Sequence, residues 1–269
     1  GYRTARVGKF HLAPESVYAF DAVLSPGRAN DMGSIGRSPI EMADATRAFI
    51  EADDARPFFL LIASDDPHRG LPFRTAPEPN GFGNRPRGYP GVVEDTYLPE
   101  NVVVPPFLPD TPEVRAELAQ YYQSTSRLDQ GVGRMLQILE ETGTDETTVF
   151  IYLSDNGIAM PGAKTTQYEP GIRLPLVVRA PELKRGGVVA DAMIPWVDIT
   201  PTIPDFAGAL KDPEAFHGRS FRPVLGGNSE EGWDEFYGSH TFHEVTMYYP
   251  MRTVRTRDYK LIWNIAHAL

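Results

Sequence analysis

Apolar and polar positions alternate along the chain in blocks that read as strands and helices in turn. Residues 40 to 53 (IEMADATRAFIEAD) carry apolar side chains at helical spacing and predict a short amphipathic helix. RPFFLLIAS, residues 56 to 64, is a continuous apolar run of strand length, the kind that suits a sheet covered on both faces. From Gly70 to Pro109 no period survives, and Pro, Gly, Asn and Arg predominate, which predicts a long surface excursion of the sort that often carries substrate contacts. A long helix follows. Thr111 is placed to cap it, Pro112 fits its first position and Gly143 its end. Val114, Leu118, Tyr122, Thr125, Leu128, Val132, Met135 and Leu139 recur between them every three or four residues, interrupted only by Gly131 and Gly133.

Two further apolar runs, TTVFIYLS (147 to 154) and RLPLVVRAP (173 to 181), predict buried strands. Strand, helix and strand in this order imply an α/β core with a mostly parallel sheet. Beyond about Ser220 the pattern changes to DEFYGSH, MYYPMRTVRT and DYKLIWNI, which predict aromatic-rich antiparallel strands of a smaller sheet. The domain reading is therefore 1–219 for the α/β domain and 220–269 for the start of a smaller C-terminal subdomain.

Composition narrows the functional classes. The 269 residues hold 26 Lys and Arg against 36 Asp and Glu, a formal net charge of −10, which speaks against nucleic acid as the main partner. The absence of cysteine removes disulfides, thiolate zinc sites and a cysteine nucleophile from these residues. No apolar run approaches the roughly 18 residues of a membrane span. With 24 glycines and 25 prolines, much of the chain is expected in loops.

The candidate chemistry lies at the predicted strand ends, where open α/β sheets hold ligands. TTVFIYL runs into SDNG, so Asp155 and Asn156 offer a carboxylate and an amide oxygen, hard ligands suited to calcium or magnesium. The alternative is an Asx turn in which Gly157 supplies positive φ. RPFFLLIAS runs into DDPHRG, so His68 is placed to donate a proton near neutral pH, or else to tie down a proline turn. Lys9 and His11, two apart in GYRTARVGKFH, project to one side if extended and can converge on an anion; a solvated face is the alternative. Lys164, in the loop before the third strand, is placed either to neutralise an anionic substrate or to face solvent.

Taken together, these segments resemble the sulfatase family. GYRTARVGKFHL is similar to its second signature, GY-T-A-x-x-GK-x-H; PFFLLIASDDPHR resembles its PFF strand with a terminal histidine; SDNG followed by GAKTTQYEPGIRLPLVV resembles its metal and lysine segment. APESVYAFD (13 to 21), RLDQGVGRMLQILEETG (127 to 143) and GSHTFHEVTMYYPMRTV (238 to 254) look like the sulfamidase branch of that family.

The resemblance implies an alkaline-phosphatase-like α/β fold and hydrolysis of sulfate esters or sulfamates, most specifically the N-sulfate of glucosamine in heparan-sulfate-like glycans. It implies one Ca2+ held in part by Asp155 and Asn156, and a formylglycine nucleophile, an oxidised Cys or Ser. Lys9 and His11 would hold the nucleophile and sulfate, His68 would protonate the leaving group, and Lys164 would grip a sulfate oxygen. The sulfamidase branch carries arginine at the last position, so lysine keeps the charge but loses bidentate geometry. His243, Glu244 and Arg252 are candidates for recognising the sugar, or else merely join the two sheets.

The nucleophile motif and the aspartate pair that completes the calcium site belong upstream of the GY-T-A segment, so the resemblance implies a fragment lacking both ends, inactive as it stands. It leaves room for a homodimer of the full-length protein, and implies export to the periplasm or exterior in bacteria, or to the lysosome in animals. A phosphatase or phosphodiesterase of the same superfamily, an O-sulfatase, and a non-catalytic binder of sulfated glycans remain the alternatives. Asn156, where zinc would want histidine, speaks against the first.

Overall fold

The computed structural model describes residues 1–10, 12–24, 36–70, 81–183, 186–227, 231–243 and 247–267. The chain divides into two compact units, Gly1–Asp145 and Glu146–Leu269.

The first unit is built on a parallel sheet. Strands β1 (Arg3–Gly8), β2 (Ala22–Val23) and β3 (Phe58–Ala63) lie in the order β2-β1-β3. Along β1 burial alternates with the pleat, and Arg3, Ala5 and Val7 face the interior. The buried Arg3 is satisfied by backbone carbonyls: its guanidinium donates to Phe49 O at 2.6 Å and Arg56 O at 3.2 Å, and it lies 4.9 Å from the Phe49 ring centroid. It thereby ties the sheet to helix α1 (Pro39–Ile50), whose buried Met42, Ala43, Thr46 and Ile50 share one face. β3, at one end of the described order, is half-buried rather than fully covered.

Helix α2 (Pro112–Glu141) is capped as the sequence predicts. Thr111 accepts from the Val114 amide, Pro112 occupies the first turn, and Gly143 has φ 65° just past the end. Its buried face departs from the apolar stripe. Leu118, Met135 and Leu139 are interior, but between them the core positions are Ser124, Arg127 and Gly131. Gly131 does not interrupt the helix: a Cβ there would lie 2.3 Å from the Pro39 Cβ, so its missing side chain lets α1 and α2 approach closely. The described part of the predicted excursion is anchored rather than superficial, since Phe82, Tyr89, Val102 and Leu108 are buried. These side chains have no period because each is fixed by its own site, as when the Tyr89 hydroxyl donates to Gly83 O at 2.7 Å.

The second unit opens with β4 (Phe150–Leu153) and β5 (Leu176–Arg179). They pair antiparallel, Phe150 opposite Arg179 and Leu153 opposite Leu176. A parallel return needs a full crossover helix. The connection contains only the single-turn α3 (Glu169–Ile172) and folds back on itself, with the Gly157 amide donating to Gly171 O at 3.2 Å. Helix α4 (Ile199–Phe206) follows. Phe221, Val224 and Trp233 form a core packed by Leu176, Val178, Ile194 and Ile199. The smaller sheet forms as predicted: β6 (Glu235–Phe242), β7 (Tyr248–Thr256) and β8 (Lys260–Asn264) are antiparallel in that order. Among the described residues no helix is long and apolar enough to cross a membrane.

Candidate active site

In the first unit, parallel pairing of β1 with β3 puts Gly8 opposite Ala63, so the chain leaves both strands at the same end. Gly8 has φ 87°, and a Cβ there would sit 2.1 Å from Ala63 O and 2.8 Å from the Met42 sulfur. Only glycine lets the strand turn there. Lys9 comes next, half-buried, its amide donating to Ala63 O at 2.7 Å. His68 follows β3 in an exposed turn; its amide donates to Asp65 O at 2.6 Å and its carbonyl accepts from Arg37 at 2.8 Å. Lys9 and His68 thus both stand past the carboxyl end of this sheet. His11 lies outside the described residues.

The turn carrying His68 rests on a buried ionic cluster that sequence reading did not find. The fully enclosed Asp66 carboxylate accepts from Arg127 Nε at 2.7 Å and Nη2 at 2.9 Å, from Arg37 Nη1 at 2.9 Å and from the Ser124 hydroxyl at 2.9 Å. Arg127 also donates to Asn84 Oδ1 at 2.9 Å and Phe82 O at 3.1 Å, and its guanidinium lies 4.6 Å from the centre of the Tyr89 ring. Burial pushes the Tyr89 phenol up from its ordinary value, although the neighbouring guanidiniums oppose this. The one available signal was a polar pair, Ser124 and Arg127, at helical spacing within an otherwise core-facing row.

In the second unit, Asp155 and Asn156 follow β4. The strand end is closed by other groups: the Trp196 indole donates to Ser154 O at 2.9 Å, and the Ser154 hydroxyl to Asn156 O at 2.8 Å. The Asp155 side chain is left exposed. Gly157 is not in the positive-φ region; it is needed for space, because a Cβ would lie 2.0 Å from Pro170 O. Lys164 is half-buried in the same loop, its amide donating to Ile158 O at 3.0 Å. A carboxylate and an amide oxygen at one strand end suit the donor chemistry of calcium. Among the described residues no group of three or more His, Cys, Asp or Glu side chains is placed to hold a metal.

The small sheet separates the remaining candidates. His240, Met251 and Asn264 are cross-strand partners that line an open cleft of about 370 Å³, together with Tyr168, His243 and Tyr249. Arg252 is one residue out of that register, opposite Ser239 and Trp263, so the pleat turns it to the other face. Glu244 lies outside the described residues. Beside the cleft, Glu169 pairs with Lys260 and, at 3.0 Å, with Arg255. Burial alone would raise the Glu169 carboxyl, but these two cations outweigh it and hold it below its usual value.

These placements define an α/β protein whose polar chemistry stands past the ends of its strands. The family profile described as Sulfatase matches residues 1–209, and one described as N-sulphoglucosamine sulphohydrolase, C-terminal, matches residues 163–268. The chain belongs to the sulfatase family.

Among curated proteins it is 39% identical over 279 residues to the N-sulphoglucosamine sulphohydrolase of Homo sapiens, covering 98% of this chain and 55% of that protein. It is 27% identical over 266 residues to an ulvan-active sulfatase of Formosa agariphila, covering 98% and 48%. The chain thus spans about half the length of the curated relatives it matches. Among solved structures, one described as a complex with its substrate D-glucosamine-2-N,6-O-disulfate superposes with TM-score 0.71 at 21% identity, over 99% of this chain and 71% of that one. A phosphonate monoester hydrolase from Silicibacter pomeroyi superposes with TM-score 0.59 at 22% identity, over 94% and 59%. The fold is the alkaline-phosphatase-like one these neighbours share.

Proposed function

We propose that this chain is the greater part of the catalytic region of a sulfohydrolase that removes N-sulfate from glucosamine residues of heparan-sulfate-like glycans. The observation that carries the reading is the 39% identity, spread over 98% of the chain, to a human N-sulphoglucosamine sulphohydrolase. The C-terminal profile on residues 163–268 supports the same branch.

In this reading a formylglycine would supply the nucleophile for sulfur, and Ca2+, held in part by Asp155 and Asn156, would supply charge neutralisation for the sulfate. The chain's own residues do the rest. Asp155 and Asn156 would give two oxygen ligands to the calcium ion. Lys9 and Lys164 each present an ammonium to sulfate oxygens, and their positive charge matters most as negative charge builds on those oxygens. His11 holds the nucleophile. His68, exposed on a fixed turn, holds a proton on its imidazole and delivers it to the departing glucosamine nitrogen, which leaves as a neutral amine. His243, beside Tyr168 and Tyr249 in the cleft, recognises the sugar. Glu244 pairs with the amine as it becomes an ammonium, and Arg252 is a further candidate for recognising the sugar.

The test is a substrate panel on the gene product that includes the nucleophile segment. Turnover of N-sulfoglucosamine above that of glucosamine 6-sulfate and of phosphate or phosphonate monoesters supports the reading. A preference for an O-sulfate moves the protein to an O-sulfatase, and a preference for a phosphorus ester moves it out of sulfate chemistry.

A further inference from the structure

Asp66 is held by more positive charge than it needs. The Arg127 fork and the Ser124 hydroxyl already satisfy both of its oxygens, so the carboxylate would remain paired without Arg37. Burying a second guanidinium carries a desolvation cost that neutralisation of Asp66 does not require. What Arg37 adds is a connection. Nη1 donates to Asp66 Oδ1 and to Phe82 O, both at 2.9 Å, while Nη2 donates to the His68 carbonyl at 2.8 Å.

The backbone around Arg37 completes the clamp. The Asp65 amide donates to Gly36 O at 2.7 Å, the Ser64 hydroxyl to the same oxygen at 2.9 Å, and the Asp66 amide to Ser64 Oγ at 3.0 Å. Two glycines make room for it. A Cβ at Gly36 would lie 1.9 Å from Asp65 Oδ2, and one at Gly83 2.3 Å from Arg37 Cδ. Residues 64 to 68 are thus gripped at both ends from residues 36 and 37, and His68 itself is exposed.

We propose that Arg37 is a positioning residue for His68: it fixes the backbone from which the imidazole projects, using the Arg127–Asp66 pair as its anchor. This rests on the reading of His68 as the leaving-group acid. Proton delivery needs the donor within hydrogen-bond reach of the departing atom, so a turn free to shift would cost rate rather than affinity.

The test compares Arg37→Gln, Arg37→Lys and His68→Ala in two settings. In the gene product that includes the nucleophile segment, kcat is measured on N-sulfoglucosamine, whose amine leaves poorly without a proton, and on nitrophenyl sulfate, whose phenolate needs none. In the second setting, the same gene product without substrate, the His68 imidazole signals are followed by NMR. Arg37→Gln is expected to lower kcat on the sugar by about 10- to 100-fold with KM nearly unchanged, and to spare nitrophenyl sulfate. It is also expected to shift or broaden the His68 signals, with Arg37→Lys recovering part of both effects.

Equal losses on both substrates, or His68 signals that do not move, overturn the positioning role even if His68→Ala abolishes sugar turnover. If His68→Ala keeps sugar turnover, the acid role assigned to His68 fails, and the proposal that depends on it falls with it. The NMR shift tells the two failures apart.

Discussion

Arg127 grips Asp66 with a fork, Nε to Oδ2 at 2.7 Å and Nη2 to Oδ1 at 2.9 Å, and neither side chain is more than 1% exposed. The pair joins residues 61 apart, one in the middle of α2 and the other just past β3. It is the anchor of the turn that presents His68. Removing Arg127 takes the fork from a buried carboxylate and leaves it paired with Arg37, so the loss approaches, at most, the roughly 3–5 kcal/mol of a fully broken buried pair. Arg127→Ala is therefore expected to lower the unfolding free energy by up to that much in equilibrium denaturation. Arg37→Gln, which leaves the fork intact, is expected to lower it by far less. Similar losses for the two variants would mean that the fork does not carry Asp66 alone.

Two glycines two residues apart on α2 predict opposite outcomes. At Gly131 a Cβ would collide with Pro39, whereas at Gly133 it would meet nothing within 4 Å. Gly133→Ala should stabilise by about 1 kcal/mol through helix propensity. Gly131→Ala should destabilise despite the same propensity gain, because α1 and α2 must separate. Thermal unfolding of the two variants reads the difference directly.

The Glu169 carboxyl is held low by Lys260 and Arg255 against the effect of its burial. A carboxylate whose pKa falls on folding adds stability above its unfolded value, near 4.5, and that contribution is lost as pH falls through the lowered folded value. Glu169→Gln should therefore melt below the parent at pH 7 and match it at the acid end. Because the side chain is nearly half exposed, the gap at pH 7 should be small and should shrink further in salt. A gap that persists unchanged in acid would trace the loss to packing rather than to charge.

Much of the fold was legible because its signals are local. Thr111, Pro112 and Gly143 mark the ends of α2 by their own backbone preferences, and the alternating aromatic runs after Ser220 form β6, β7 and β8 as read. The relative direction of β4 and β5 was not legible. Period fixes which face a strand buries, while direction depends on whether the connection crosses over, and here it folds back through Gly157 and Gly171.

Lys9, His68 and Asp155 could be picked out as candidates because strand ends are readable, and they stand past β1, β3 and β4 as read. Asp66 was passed over beside His68, because a carboxylate in a DDPH turn looks solvated until its partners arrive from α2. The register with Ser239 and Trp263 turns Arg252 away from the cleft that His243 lines, and no sequence pattern reveals it.

Calcium binding offers a test independent of turnover. If Asp155 supplies a ligand, Ca2+ should raise the melting temperature of the gene product that includes the remaining ligands, and Asp155→Ala should remove that shift while leaving the metal-free melting temperature nearly unchanged. The exposure of Asp155 is what makes the second half of this expectation reasonable. A calcium-dependent shift that survives in Asp155→Ala would remove this residue from the ligand set.

The most direct measurement is the product balance from N-sulfoglucosamine incubated with the gene product that includes the nucleophile segment. Inorganic sulfate and free glucosamine should appear in equal amounts, and Lys164→Ala should slow the reaction by at least about 100-fold. No sulfate release from N-sulfoglucosamine, alongside turnover of an O-sulfate or a phosphonate ester by the same preparation, would contradict the account.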